Sequence, residues 1–83
     1  MKTKEIIEYI NNRNKKAKEI FNKAKRILPL QGLKITKVRY GYAYVDIPYA
    51  YILDQRTNKR FILDMYDLKT LIDQIEYERQ DRE

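Results

Sequence analysis

Ile7, Ile10, Ala17, Phe21, Ala24 and Leu28 recur at spacings of three, four and seven, with Asn14 in the one polar slot of that register. This recurrence is a single helical stripe. Ile6, Ile20 and Ile27 widen it beyond a two-stranded coiled-coil seam, into a face suited to packing on a sheet. Thr3 is the expected N-cap, and Glu5 lies in the first turn, where the helix dipole favours an acid. Pro29 ends the helix, because the residue before a proline is driven out of the α region. The pattern therefore predicts a helix from Thr3 to Leu28, about 39 Å long if continuous. Asn11-Asn12-Arg13-Asn14 is its weak point. Asparagine has poor helix propensity and good capping chemistry, which allows a break into two helices there.

After Gln31-Gly32 the period becomes two. Leu33 and Ile35 alternate with Lys34 and Thr36, and then Val38, Tyr40, Tyr42 and Tyr44 alternate with Arg39, Gly41 and Ala43. β-Branched and aromatic residues dominate, so these runs read as strands, with Gly41 marking a bulge or tight hairpin and Pro48 limiting the second run. Tyr49 to Asp54 and Arg60 to Asp64 flank the polar segment Gln55-Arg56-Thr57-Asn58-Lys59, the clearest hairpin in the chain. Asp64 then has the place of an N-cap with Asp67 three residues on. Met65, Leu68, Leu71, Ile72 and Ile75 give a second helical stripe, which frays from Tyr77 onward. The expected fold is α+β: a long N-terminal helix, a three- to four-stranded antiparallel β-meander and a C-terminal helix, both helices on one sheet face.

Eighty-three residues without a Gly-, Pro- or Ser-rich linker make one domain, residues 1–83. A chain this short buries a modest core and often needs a disulfide, a metal or a partner subunit. Cysteine and histidine are absent, which removes disulfides and the usual zinc sites and leaves self-association as a homodimer. No run has the length of a signal peptide's apolar core or a membrane span, so the expectation is a cytoplasmic protein with no membrane partner.

The net charge of +6 is unevenly spread. Met1 to Leu28 carries nine basic and three acidic residues, Pro29 to Tyr66 six and three, and Asp67 to Glu83 three and six. A basic working surface at one end and an acidic helix elsewhere follow from that division.

Catalysis is the class the sequence argues against. With no His, Cys or Ser, the common nucleophile and base sets are missing, and two glycines cannot build a phosphate-cradling loop. Asp46, Asp54 and Asp64 could hold Mg²⁺ beside Lys59, but turn-opening and helix-capping explain Asp54 and Asp64 more simply, and no metal site or cofactor is expected. Lys15, Lys16, Lys18, Lys23, Lys25 and Arg26 cluster in the second half of the first helix, and Arg56, Lys59 and Arg60 mark the hairpin tip. Both clusters suit phosphate contacts that read no sequence, as well as plain solvation. Tyr40, Tyr42 and Tyr44 would share a face if their strand stayed regular through Gly41, giving an ordinary half-buried strand face, a protein interface or a base-stacking surface beside Lys37 and Arg39.

The leading expectation is a small non-enzymatic nucleic-acid-binding accessory protein, with DNA or RNA left open, that contacts phosphates through the first helix and the hairpin tip. The alternative is a protein-interaction module, including a small phage or viral inhibitor, that docks on a protein partner through its tyrosines.

Overall fold

A computed structural model describes residues 2–81 of the chain. Helix α1 spans Thr3–Ile27, 25 residues or about 37 Å. Ala17, Ile20, Phe21 and Ala24 are buried along it, followed by Leu28 just beyond, so the predicted stripe faces the core from Ala17 onward, whereas Ile7 is 52% exposed and Ile6 and Ile10 lie outside the core cluster. Lys2, not Thr3, occupies the N-cap position and makes no side-chain cap bond. The helix passes through Asn11–Asn14 without a break. Asn14, the asparagine that faces inward, bonds with Arg13 to a loop some thirty residues away, while Asn11 and Asn12 are exposed to solvent. Past Ile27 the chain tightens into a 3₁₀ turn, Leu28–Gln31, that contains Pro29. Gly32 closes it at φ 71°, donating to the Pro29 carbonyl at 3.1 Å.

Three antiparallel strands follow, β1 (Leu33–Arg39), β2 (Tyr49–Asp54) and β3 (Lys59–Asp64), in the spatial order β1-β2-β3. Ile35 pairs with Ile52 and Lys37 with Tyr51, which leaves Thr36 as a bulge. One extra residue at that point lets Ile35 and Val38, three apart, both face the core. The bulge therefore lies at Thr36 and not at Gly41.

The strand predicted through Tyr44 stops at Arg39. Residues 40–48 form a loop whose carbonyls are taken by α1 instead of by a neighbouring strand. The Arg13 guanidinium donates to Tyr44 O (2.7 Å), Asp46 O (2.8 Å) and Ala43 O (3.0 Å), and Asn14 Nδ2 donates to Gly41 O (2.6 Å). Gly41 is buried where the loop folds back on itself. A Cβ there would collide with the Asp46 carbonyl and come within 2.5 Å of Arg13 Nη2, so glycine is required by close approach. Pro48, also buried, ends the loop, and its carbonyl accepts the Met65 amide at 2.9 Å.

The β2–β3 hairpin matches its sequence signature, with Asn58 at φ 60° and its amide on the Asp54 carbonyl at 2.7 Å. Asp64 caps helix α2, Met65–Asp81, by accepting the Asp67 amide at 2.8 Å. Met65, Leu68, Ile72 and Ile75 are buried and Leu71 packs beside them. The helix continues through Tyr77, where fraying is expected, as far as Asp81; Arg82 and Glu83 lie outside the described residues.

Both helices cover the same sheet face, where they meet Ala50 and Ile52 of the central strand. They also run in the same direction. Glu19 and Ile20 border a hollow with Lys69, Ile72 and Asp73, Lys23 pairs with Glu76, and Ile27 and Leu30 lie by Arg79 and Gln80. Among the described residues no helix is long and apolar enough to cross a membrane.

Arg13 is only 5% exposed, and its three acceptors are left without those bonds if it is truncated. Arg13→Ala is expected to lower unfolding stability by about 2 to 4 kcal/mol. Urea denaturation checks the loss, and faster amide exchange confined first to residues 41–46 locates it.

Candidate nucleic-acid interface

The basic clusters occupy defined places on this frame. Lys15, Lys16, Lys18, Lys25 and Arg26 are exposed on α1, spread around the helix outside its buried stripe. Lys23 differs, being half-buried and paired with Glu76 of α2 at 2.7 Å. Lys25 and Arg26 lie in the last turn, where cations offset the helix dipole.

The hairpin tip is fastened to that same end. Arg56 Nη2 donates to the Gln31 carbonyl just past α1, the Gln55 amide donates to the Gly32 carbonyl at 2.9 Å, and a Cβ on Gly32 would press on Arg56 Nε at 2.7 Å. Two clusters far apart in sequence, Lys25 with Arg26 and Arg56 with Lys59, thus share one end of the molecule. Within the tip the Arg56 amide donates to Asp54 Oδ1 at 3.0 Å. That bond, ahead of the partial desolvation that opposes it, holds the Asp54 carboxyl below its ordinary pKa.

The tyrosines predicted to share a strand face do not. Tyr40 turns inward and meets Phe21 edge-on at 5.7 Å between ring centroids. Tyr42 is 83% exposed on the loop, and Tyr44 leans on Tyr9 of α1 at 5.1 Å. Tyr66, at the start of α2, is close to Tyr9, and desolvation followed by that neighbour raises its phenol above the ordinary pKa. Tyr9, Tyr44 and Tyr66 thus gather at the end opposite the hairpin tip.

A different set of tyrosines lies on the sheet face that no helix covers. Since Ala50 and Ile52 point to the helices, Tyr49, Tyr51 and Leu53 point the other way. The pairing completes three rows on that open face: Arg39, Tyr49 and Asp64; Lys37, Tyr51 and Ile62; Lys34, Leu53 and Arg60. Arg60, assigned from sequence to the hairpin tip, thus belongs to the sheet face. Tyr49 and Tyr51 are half-buried, with ring centroids 5.6 Å apart and planes tilted by 59°. The Tyr51 hydroxyl, the largest cause, and partial desolvation push the Tyr49 phenol above its ordinary pKa, against the pull of Arg39. Past Tyr49 a hollow of about 340 Å³ opens between Arg39, Tyr40, Tyr42 and Asp46.

The sequence signal for this face was the slip in the alternation between Ile35 and Val38, which places Lys34, Lys37 and Arg39 on one side. Among the described residues no cluster of three or more metal-ligating side chains occurs. Asp54 and Asp64 serve the turn and the helix cap. Comparison with protein-family models, curated proteins and solved structures finds no match to this chain.

The Asp54 shift has a defined sign. A carboxyl whose pKa is lowered on folding contributes stability above its unfolded value, near 3.8, and loses that contribution as pH falls through its folded value. An NMR titration is expected to place the Asp54 carboxyl below 3.8, with protection of the Arg56 amide, relative to its intrinsic exchange rate, falling over the same interval.

Proposed function

We propose that the protein is a nucleic-acid-binding protein that acts by binding and carries out no chemistry on its ligand. The observation that supports this reading most directly is the latch of Arg56 on the Gln31 carbonyl, which carries the basic hairpin tip to the end of α1 that bears Lys25 and Arg26. Lys15, Lys18, Lys25, Arg26 and Lys59 have no carboxylate within ion-pair distance among the described residues, so their charge remains available to phosphates. Lys23, neutralised by Glu76, is the member of the cluster that contributes least. Surface cations of this kind bind by releasing counterions from the nucleic acid, which gives affinity without sequence readout.

About five phosphate contacts imply that affinity falls by roughly two to three orders of magnitude between 50 and 200 mM salt. Anisotropy titrations of labelled oligonucleotides measure this. Joint replacement of Lys25, Arg26 and Lys59 by Glu is expected to flatten the slope of log affinity against log salt by about 2 to 3. An unchanged slope counts against this surface.

A second reading, a protein partner or a second copy of the chain, is favoured by the loop held on Arg13. Tyr42 and Val45 are 83% and 84% exposed there, beside the Tyr9–Tyr44 contact. If this loop closes a homodimer, Tyr42→Ser with Val45→Ser yields monomers by light scattering while the circular dichroism spectrum stays that of the parent.

A further inference from the structure

We infer that the ligand is single-stranded nucleic acid seated on the open sheet face, with bases stacked on Tyr49 and Tyr51 and the phosphates following Lys34, Lys37 and Arg39 of β1. This rests on the nucleic-acid reading above and names its ligand class and a contact surface on the opposite side of the sheet from the helices.

The two rings occupy the central strand, where both neighbours hold them in place, and neither helix covers them. Stacking on tyrosine accepts any base, but it requires a base whose face is free, which a duplex does not present along its length. Tyr49 and Tyr51 are two residues apart, about 6.8 Å along a strand, a stride over which an extended polynucleotide chain advances by about one nucleotide. Each ring therefore serves one base in succession. The hollow beside Tyr49, lined by Val38, Arg39, Tyr40, Tyr42 and Asp46, adjoins the end of this pair.

The charges flanking the rings differ on the two sides. On the β1 side each row carries a cation: Lys34, Lys37 and Arg39. On the β3 side the rows carry Arg60, Ile62 and Asp64, and Ile62 is 55% exposed. Asp64 accepts the Asp67 amide, and Asp46 borders the hollow with Arg39, so both acids lie at the Tyr49 end of the face, beyond Lys34 and Lys37 of the β1 column. The phosphates consequently run along β1, while bases reach across toward Leu53 and Ile62. A second copy of the same face is a poor occupant, because it would set four cations against four, with Asp64 in the rows and Asp46 at their margin to offset them on each side.

The test is anisotropy of labelled oligothymidylate and of a duplex of equal length, each titrated with the full chain at low salt. The parent protein is expected to prefer the single strand. Tyr51→Ala is expected to weaken that binding by about 5- to 150-fold with little change in salt slope, whereas Tyr51→Phe retains it because the ring remains. Lys37→Glu is expected to weaken binding and flatten the salt slope. Circular dichroism melting of each variant separates lost binding from lost fold, and the Tyr51→Phe comparison decides the matter if the alanine variant unfolds. Equal or better duplex binding, or a Tyr51→Phe loss as large as the alanine loss, overturns the inference while leaving the phosphate-binding reading in place. Absence of binding to either oligonucleotide at low salt overturns both.

Discussion

The fold depends on one buried cation. Arg13 sits halfway along α1 and sends its guanidinium into the loop between β1 and β2, where three carbonyls converge on it. A nine-residue connection of this kind has no partner strand to satisfy its backbone, and a buried carbonyl without a donor costs free energy. Arginine answers that need with several donors in a rigid plane and a charge that persists at any physiological pH. The arrangement also leaves Arg13 Nε and Asn14 Oδ1 buried without partners, which offsets part of the gain. Fixing the loop fixes what lies on either side of it: Tyr40 is held against Phe21, and Pro48 is placed to receive the Met65 amide where α2 begins.

The slab that results has two unlike faces and two unlike ends. Both helices lie on one face of a three-stranded sheet, so the other face has no covering element of its own. The basic α1 lies along the more acidic α2, and the Lys23–Glu76 pair joins them, which reduces the net charge of the helical layer. The open face has no comparable offset. At one end the hairpin tip and the last turn of α1 gather cations, and at the other tyrosines gather around Tyr9.

Much of this was legible in the sequence. The first helical stripe from Ala17 to Leu28, the second helical stripe, the β2–β3 hairpin, Asn58 in its turn and Asp64 as a cap follow from periodicity and local chemistry, and the structure bears them out. The readings that failed share a cause. The strand through Tyr44 and the bulge or tight hairpin at Gly41 are local inferences about segments governed by a contact across some thirty positions, and the same contact starts from the Asn11–Asn14 segment, where the sequence left a break open. Nothing near Arg13 indicates that its donors are spent on residues 43, 44 and 46. Likewise Tyr40, Tyr42 and Tyr44 alternate as a strand would, and only the acceptors supplied to α1 explain why they form a loop. The open sheet face was half legible: the residues were in view, but assigning them to one side required the Thr36 bulge.

The lateral pairing of α1 with α2 has a consequence for how the chain comes to be folded. Lys23 and Glu76 stand 53 positions apart, and the buried stripe of α1 shares its cluster with Leu68, Ile72 and Ile75 near the other end of the chain. Synthesis proceeds from the N-terminus, so α1 leaves the ribosome well before its covering helix exists. During that interval Ala17, Phe21 and Ala24 present an uncovered apolar strip flanked by lysines. The burial of α1 is therefore completed from the far side of the sequence, and its strip stays without its covering helix until residues 65–81 have been added.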